Sequence, residues 1–116
     1  MVDLERIRQI ALSFPETTEQ PHFEKRSFKV GKKVFATYNG PYNRVCVKLS
    51  ELDQDAFCSF DSSVIYPVPN KWGKQGWTLI NLVNVLDETL IDALTMAYCE
   101  VAPKKLAAIA KGDRYE

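Results

Sequence analysis

A chain of 116 residues that is 46% hydrophobic and 26% charged has the size and composition of one folded domain, which predicts a single core without a linker and argues against intrinsic disorder. Its 15 basic residues balance 15 acidic ones, so bulk charge argues against a general nucleic-acid binder, which is usually basic. No apolar run approaches the roughly 18 residues of a membrane span, and Met1 to Phe14 lacks the basic-then-apolar order of a secretory signal. Cys46, Cys58 and Cys99 are odd in number and far apart, a pattern that predicts reduced thiols in a cytoplasm and no zinc site.

In chain order, Leu4, Ile7, Ala11 and Phe14 recur at helical spacing behind Asp3, a candidate N-cap, and Pro15 ends the helix. Glu16 to Glu24 is polar, contains Pro21, and reads as a loop. Ser27 to Val30 alternates as a strand. Gly31-Lys32 suits a two-residue hairpin turn because glycine supplies the positive φ that such a turn needs. A second strand returns over Lys33 to Tyr38, Asn39-Gly40-Pro41 turns the chain, and Arg44 to Leu49 alternates with Val45, Val47 and Leu49 inward. Ser50-Glu51-Leu52-Asp53 has the form of a capping box and opens a helix whose apolar positions are Leu52, Ala56, Phe57 and Phe60. Val64 to Val68 is an edge strand at best, given Pro67. Asn70 to Gly76 is a loop, and Trp77 to Leu82 a strand. Asp87 caps a long helix with the stripe Leu90, Ile91, Leu94, Tyr98 and Val101. Pro103 begins a last helix through Ile109, with a frayed tail from Gly112.

The expected architecture is therefore one α+β domain over residues 1–116, in two layers: an antiparallel sheet with helices on one face, in the order α-β(3)-α-β(2)-α-α. Charge is unevenly spread along it. Lys25 to Ser50 holds seven cations and no carboxylate, and Ser62 to Leu86 adds Lys71 and Lys74 with none. The rest of the chain must then be strongly acidic. Alternation places Lys29, Arg44 and Lys48 on the sheet face away from the helices, with Lys32 at a hairpin tip and Lys33 beside it.

Several separated motifs resemble the MmcQ/YjbR family. They are Pro21-His22-Phe23 followed by Ser27-Phe28, the hairpin Gly31-Lys32-Lys33-Val34-Phe35-Ala36, Val47-Lys48-Leu49-Ser50, Trp72-Gly73-Lys74-Gln75-Gly76-Trp77, and Tyr98 through Leu106. The resemblance covers nearly the whole chain in order. It implies an α-β(3)-α-β(2)-α two-layer fold and the DNA binding through β-hairpins attributed to that family. At Glu24 and Arg26 the chain departs from the glycine and proline common in relatives.

The candidate nucleic-acid-binding residues are Lys25, Arg26, Lys29, Lys32, Lys33, Arg44, Lys48 and Lys74, cations suited to phosphate contacts. The competing reading is that strand lysines only keep the sheet soluble and its edges unpaired. His22, Trp72 and Trp77 are candidates for a small-molecule pocket or for stacking on bases, against the plainer reading that both indoles fill the core. His22 is the sole histidine, so no two-histidine metal site or mechanism exists. No catalytic motif is found, and no metal or cofactor is expected. The expected partner is DNA or another polyanion. The alternative is an acidic protein or a second copy docking on a charge-segregated surface, as a monomer or weak homo-oligomer.

Overall fold

The computed structural model describes residues 2–22 and 24–115, with backbone alone for His22 and residues 113–115. The elements are α1 (Leu4–Leu12), β1 (Thr17–His22), β2 (Lys25–Val30), β3 (Lys33–Asn39), β4 (Arg44–Lys48) and α2 (Glu51–Phe60), followed by β5 (Ile65–Pro67), α3 (Lys71–Lys74), β6 (Trp77–Asn81), α4 (Asp87–Val101) and α5 (Lys104–Tyr115). The strands form one antiparallel sheet in the order β1-β2-β3-β4-β6-β5. Helix α4 crosses β3 and β4, while α1 and α5 pack beside it. The result is the expected two-layer α+β arrangement, with one sheet face left open.

Local chemistry explains most of these elements. The Asp3 carboxylate accepts the Arg6 N–H at 3.0 Å and starts α1. Gly31 adopts φ 62 between β2 and β3, the left-handed backbone that a two-residue hairpin demands. Ser50 Oγ accepts the Asp53 N–H at 3.1 Å and caps α2, as its sequence form foretold. Strand β5 lies at the sheet margin, where Pro67 is tolerated.

Four readings are corrected. The segment read as a loop after Pro15 contains β1, whose full six-residue pairing with β2 runs from Thr17 against Val30 to His22 against Lys25. Its polar composition hid a strand that lies at an edge, where Pro21 costs no ladder bond. Within the Asn70 to Gly76 loop, Asn70 Oδ1 accepts the Trp72 N–H at 2.8 Å and caps the single turn α3. Helix α4 is capped by Leu86 without a side-chain bond. Asp87 is instead its first residue, held in a two-point ion pair by Arg6 at 2.8 and 2.7 Å. Finally, α2 does not bury its apolar stripe: Leu52 is 81% and Phe60 68% exposed, and Phe57 alone of the four packs on the core.

The core centres on Tyr98, fully buried in α4. Its ring centroid lies 4.9 Å from that of Phe14 and 5.4 Å from that of Phe35, the latter edge-to-face. Phe35 reaches this place because β3 carries one extra residue there. Phe28 pairs with Ala36 and Lys29 with Val34, so Phe35 bulges out of register. The bulge lets Phe35 and Ala36, adjacent in sequence, both enter the core.

Candidate nucleic-acid interface

Period-two alternation and the strand registers fix what the open face displays. Phe28, Val30, Val45, Val47 and Ile80 point into the core, so Lys25, Ser27 and Lys29 of β2 point away from it. So do Thr37 and Asn39 of β3, Arg44, Cys46 and Lys48 of β4, and Trp77, Leu79 and Asn81 of β6. One row across the sheet reads Gln20, Ser27, Thr37, Cys46, Leu79, Tyr66. A flanking row aligns Lys25, Asn39, Arg44 and Asn81. On the other side of the central row lie Lys29, and Lys48 opposite Trp77.

Four cations thus bracket a patch of small polar side chains. Lys25 to Lys29 along β2, and Arg44 to Lys48 along β4, are each about 13 Å, and two strand spacings separate β2 from β4 by about 10 Å. Lys29 Nζ donates to Gln20 Oε1 at 2.9 Å. The Arg44 guanidinium sits 4.7 Å over the Tyr42 ring, and Lys48 Nζ donates to the Gln75 carbonyl. Among the described residues none of the four meets a carboxylate. The strands contain a single carboxylate, Glu19, and its register opposite Phe28 turns it toward the helices.

The remaining sequence candidates lie elsewhere. Arg26 shares the face of Phe28, not that of Lys25, and its Nη1 lies 3.5 Å from Glu19 Oε2. Glu19, with its side chain only 11% exposed, also takes the Arg8 guanidinium at 2.8 Å. Arg26 is therefore removed from the cationic face and neutralised in the helical layer. Lys32 and Lys33 line a groove of about 470 Å³ between the hairpin tip and the α4–α5 junction, together with Glu16 and Glu100. Lys74 is exposed on α3, outside the strand rows.

His22, Trp72 and Trp77 do not form a pocket. The backbone of His22 belongs to β1, four strand positions from β6 and Trp77, or about 19 Å; its side chain lies outside the described residues. Trp72 is half-exposed on α3, and Trp77 is partly buried on the open face, so neither indole fills the core. Sequence reasoning placed Ser27 beside Lys29 but missed Thr37 and Tyr66 as members of the face. Their alternation with core residues was the available signal, but only strand order joins them into one row.

Cys46 lies at the centre of this face. Burial pushes its thiol up to about 11, while Arg44, a backbone bond from Thr78, and Lys25 pull the other way. At about pH 8 the thiolate is scarce, so iodoacetamide should label Cys46 roughly a hundredfold more slowly than a free thiol. The rate should climb until the pH nears 11. Peptide mapping of labelled protein across pH checks this, and a plateau already reached near about pH 8.5 would contradict it. All three cysteines are free. Among the described residues no group of three or more His, Cys, Asp or Glu could hold a metal ion, and no helix is long and apolar enough to cross a membrane.

Fold and face together define a two-layer α+β domain with an open, cation-bearing antiparallel sheet. The chain belongs to the YjbR family, whose model matches residues 12–100. In three dimensions it is similar to the Deinococcus radiodurans protein DR2400, with its domain DUF419, at a TM-score of 0.77. That match covers 97% of this chain and 88% of that one at 20% sequence identity, a level that speaks to fold alone. Comparison with curated proteins gave no match.

Proposed function

We propose that this domain binds DNA non-enzymatically and with little sequence preference, through the open sheet face. The observation that carries the reading is the placement of Lys25, Lys29, Arg44 and Lys48 on one surface, with the only strand carboxylate on the other. Such a surface gains affinity by releasing counterions from phosphates, a term that is independent of base sequence. The zero net charge of the chain keeps this attraction local and the binding weak. The one thiol on the face, Cys46, is held protonated, which suits a binding surface better than a covalent cysteine catalyst.

Fluorescence anisotropy with labelled DNA tests the reading. With about four phosphates neutralised, affinity should fall roughly a hundredfold between about 50 and 200 mM salt. Replacing Lys25, Lys29, Arg44 and Lys48 together by glutamine should abolish most of that dependence. A flat salt response in the unaltered protein would defeat the proposal. Sedimentation at the same two salts would expose the competing possibility, a salt-sensitive dimer without affinity for DNA.

A further inference from the structure

The open face has a second half that phosphate contacts leave unused. Beyond β4 the cations stop, and β6 and β5 present Trp77, Leu79 and Tyr66. Trp77 is the direct cross-strand partner of Lys48. Tyr66 is the partner of Leu79, which places it diagonally across from Trp77, within reach of aromatic side chains. Leu79 is only 8% exposed. Tyr66 stands beside it in register, and Trp77 two residues along the strand. Both aromatic residues stay partly exposed. A low aromatic shelf thus adjoins the cationic patch, one strand spacing from Lys48.

We infer that the ligand of this face is single-stranded nucleic acid, with unpaired bases stacked on Trp77 and Tyr66 and the backbone crossing Lys48, Arg44, Lys25 and Lys29. The inference rests on the nucleic-acid reading above and narrows it. Duplex DNA fits poorly for two reasons. Its bases are stacked inside the helix and have no free ring faces for Trp77 and Tyr66. A sheet of six strands is also about 24 Å across, whereas the major groove is about 12 Å wide and admits an α-helix or a two-stranded ribbon. The hairpin tip is a poor substitute for such a ribbon, since Lys32 and Lys33 share their groove with Glu16 and Glu100. A single strand engages both halves of the face, because stacking on aromatic side chains tolerates any base and the cations follow the backbone.

The test compares labelled oligothymidylate and oligouridylate of about 12 nucleotides with a DNA duplex of equal length, all at about 50 mM salt. A single strand should bind at least about tenfold tighter than the duplex. Trp77→Ala should weaken single-strand binding by about 5-fold to 100-fold, as expected for one stacked base, and leave duplex affinity and the salt slope in place. In a Trp72→Phe background, Trp77 fluorescence should be quenched by the single strand only. Tyr66→Ser on the edge strand gives a second reading if Trp77→Ala fails to fold. Equal affinity for strand and duplex, or unquenched Trp77 with an unaffected Tyr66→Ser, would overturn this inference while the salt-dependent DNA reading stands. Absence of binding to any of the three probes would overturn both. The DNA and RNA arms separate the two sources of single strand.

Discussion

Tyr98→Ala should lower the free energy of unfolding by about 3–5 kcal/mol, the range for deleting a large buried aromatic side chain. This residue ties three parts of the core together. Tyr98 is fully buried on α4, its ring meets Phe14 from the end of α1 and Phe35 from the β3 bulge, and its hydroxyl donates to the Pro15 carbonyl at 2.6 Å. Alanine would leave a void bounded by a helix, a strand and a loop that cannot all close on it. A domain with the usual margin of about 5–15 kcal/mol would be near its limit. Tyr98→Phe separates the two contributions: it keeps the packing and strands the Pro15 carbonyl, at a cost of about 1–2 kcal/mol. Urea melts should show lower midpoints with unchanged slopes. If Tyr98→Phe proved as damaging as Tyr98→Ala, the aromatic cluster would not be what holds this region.

Gly76→Ala should be comparably severe, at about 3 kcal/mol or more. Gly76 has φ 104, a region that side chains rarely enter, and a Cβ built there would lie 2.0 Å from the Leu49 carbonyl oxygen. The obstacle is backbone, held in place because the Leu49 N–H donates to the Gly76 carbonyl at 2.9 Å. Relief would require parting the start of β6 from the end of β4. Gly112 provides the control. It lies in α5, where an added Cβ would meet nothing within 4 Å, and Gly112→Ala should stabilise by up to about 1 kcal/mol through helix propensity alone. Thermal melts of the two variants side by side check the contrast, and a harmless Gly76→Ala would show that the β4–β6 junction yields readily.

Features that follow from local rules were legible in the sequence. The Val45, Val47, Leu49 alternation, the Ser50 cap and the Gly31 hairpin each depend on a few neighbouring residues, and each is found where expected. The misreadings share a cause. Helical periodicity defines a stripe on α2 but not whether that stripe faces the sheet, and in the fold Leu52 and Phe60 turn outward. Strand β1 is polar because it is an edge, so composition argued for a loop. Arg26 belongs by simple alternation with Phe28, but a strand begun at Ser27 leaves its side unassigned. The cationic patch was partly legible, since Lys29, Arg44 and Lys48 alternate away from core residues. The aromatic shelf was not. It requires β6 to lie between β4 and β5, a long-range pairing that no local pattern encodes.

Each outermost strand carries a proline, Pro21 in β1 and Pro67 in β5. A ring nitrogen has no hydrogen to offer, so a foreign extended segment arriving at either flank finds a gap in the ladder it would need to complete. Fibril-like growth through lateral strand addition is thereby discouraged at both sides, even at the concentrations of a crowded cell. Association must come through the broad surfaces of the sheet and helices, where side chains rather than main-chain groups decide what is accepted.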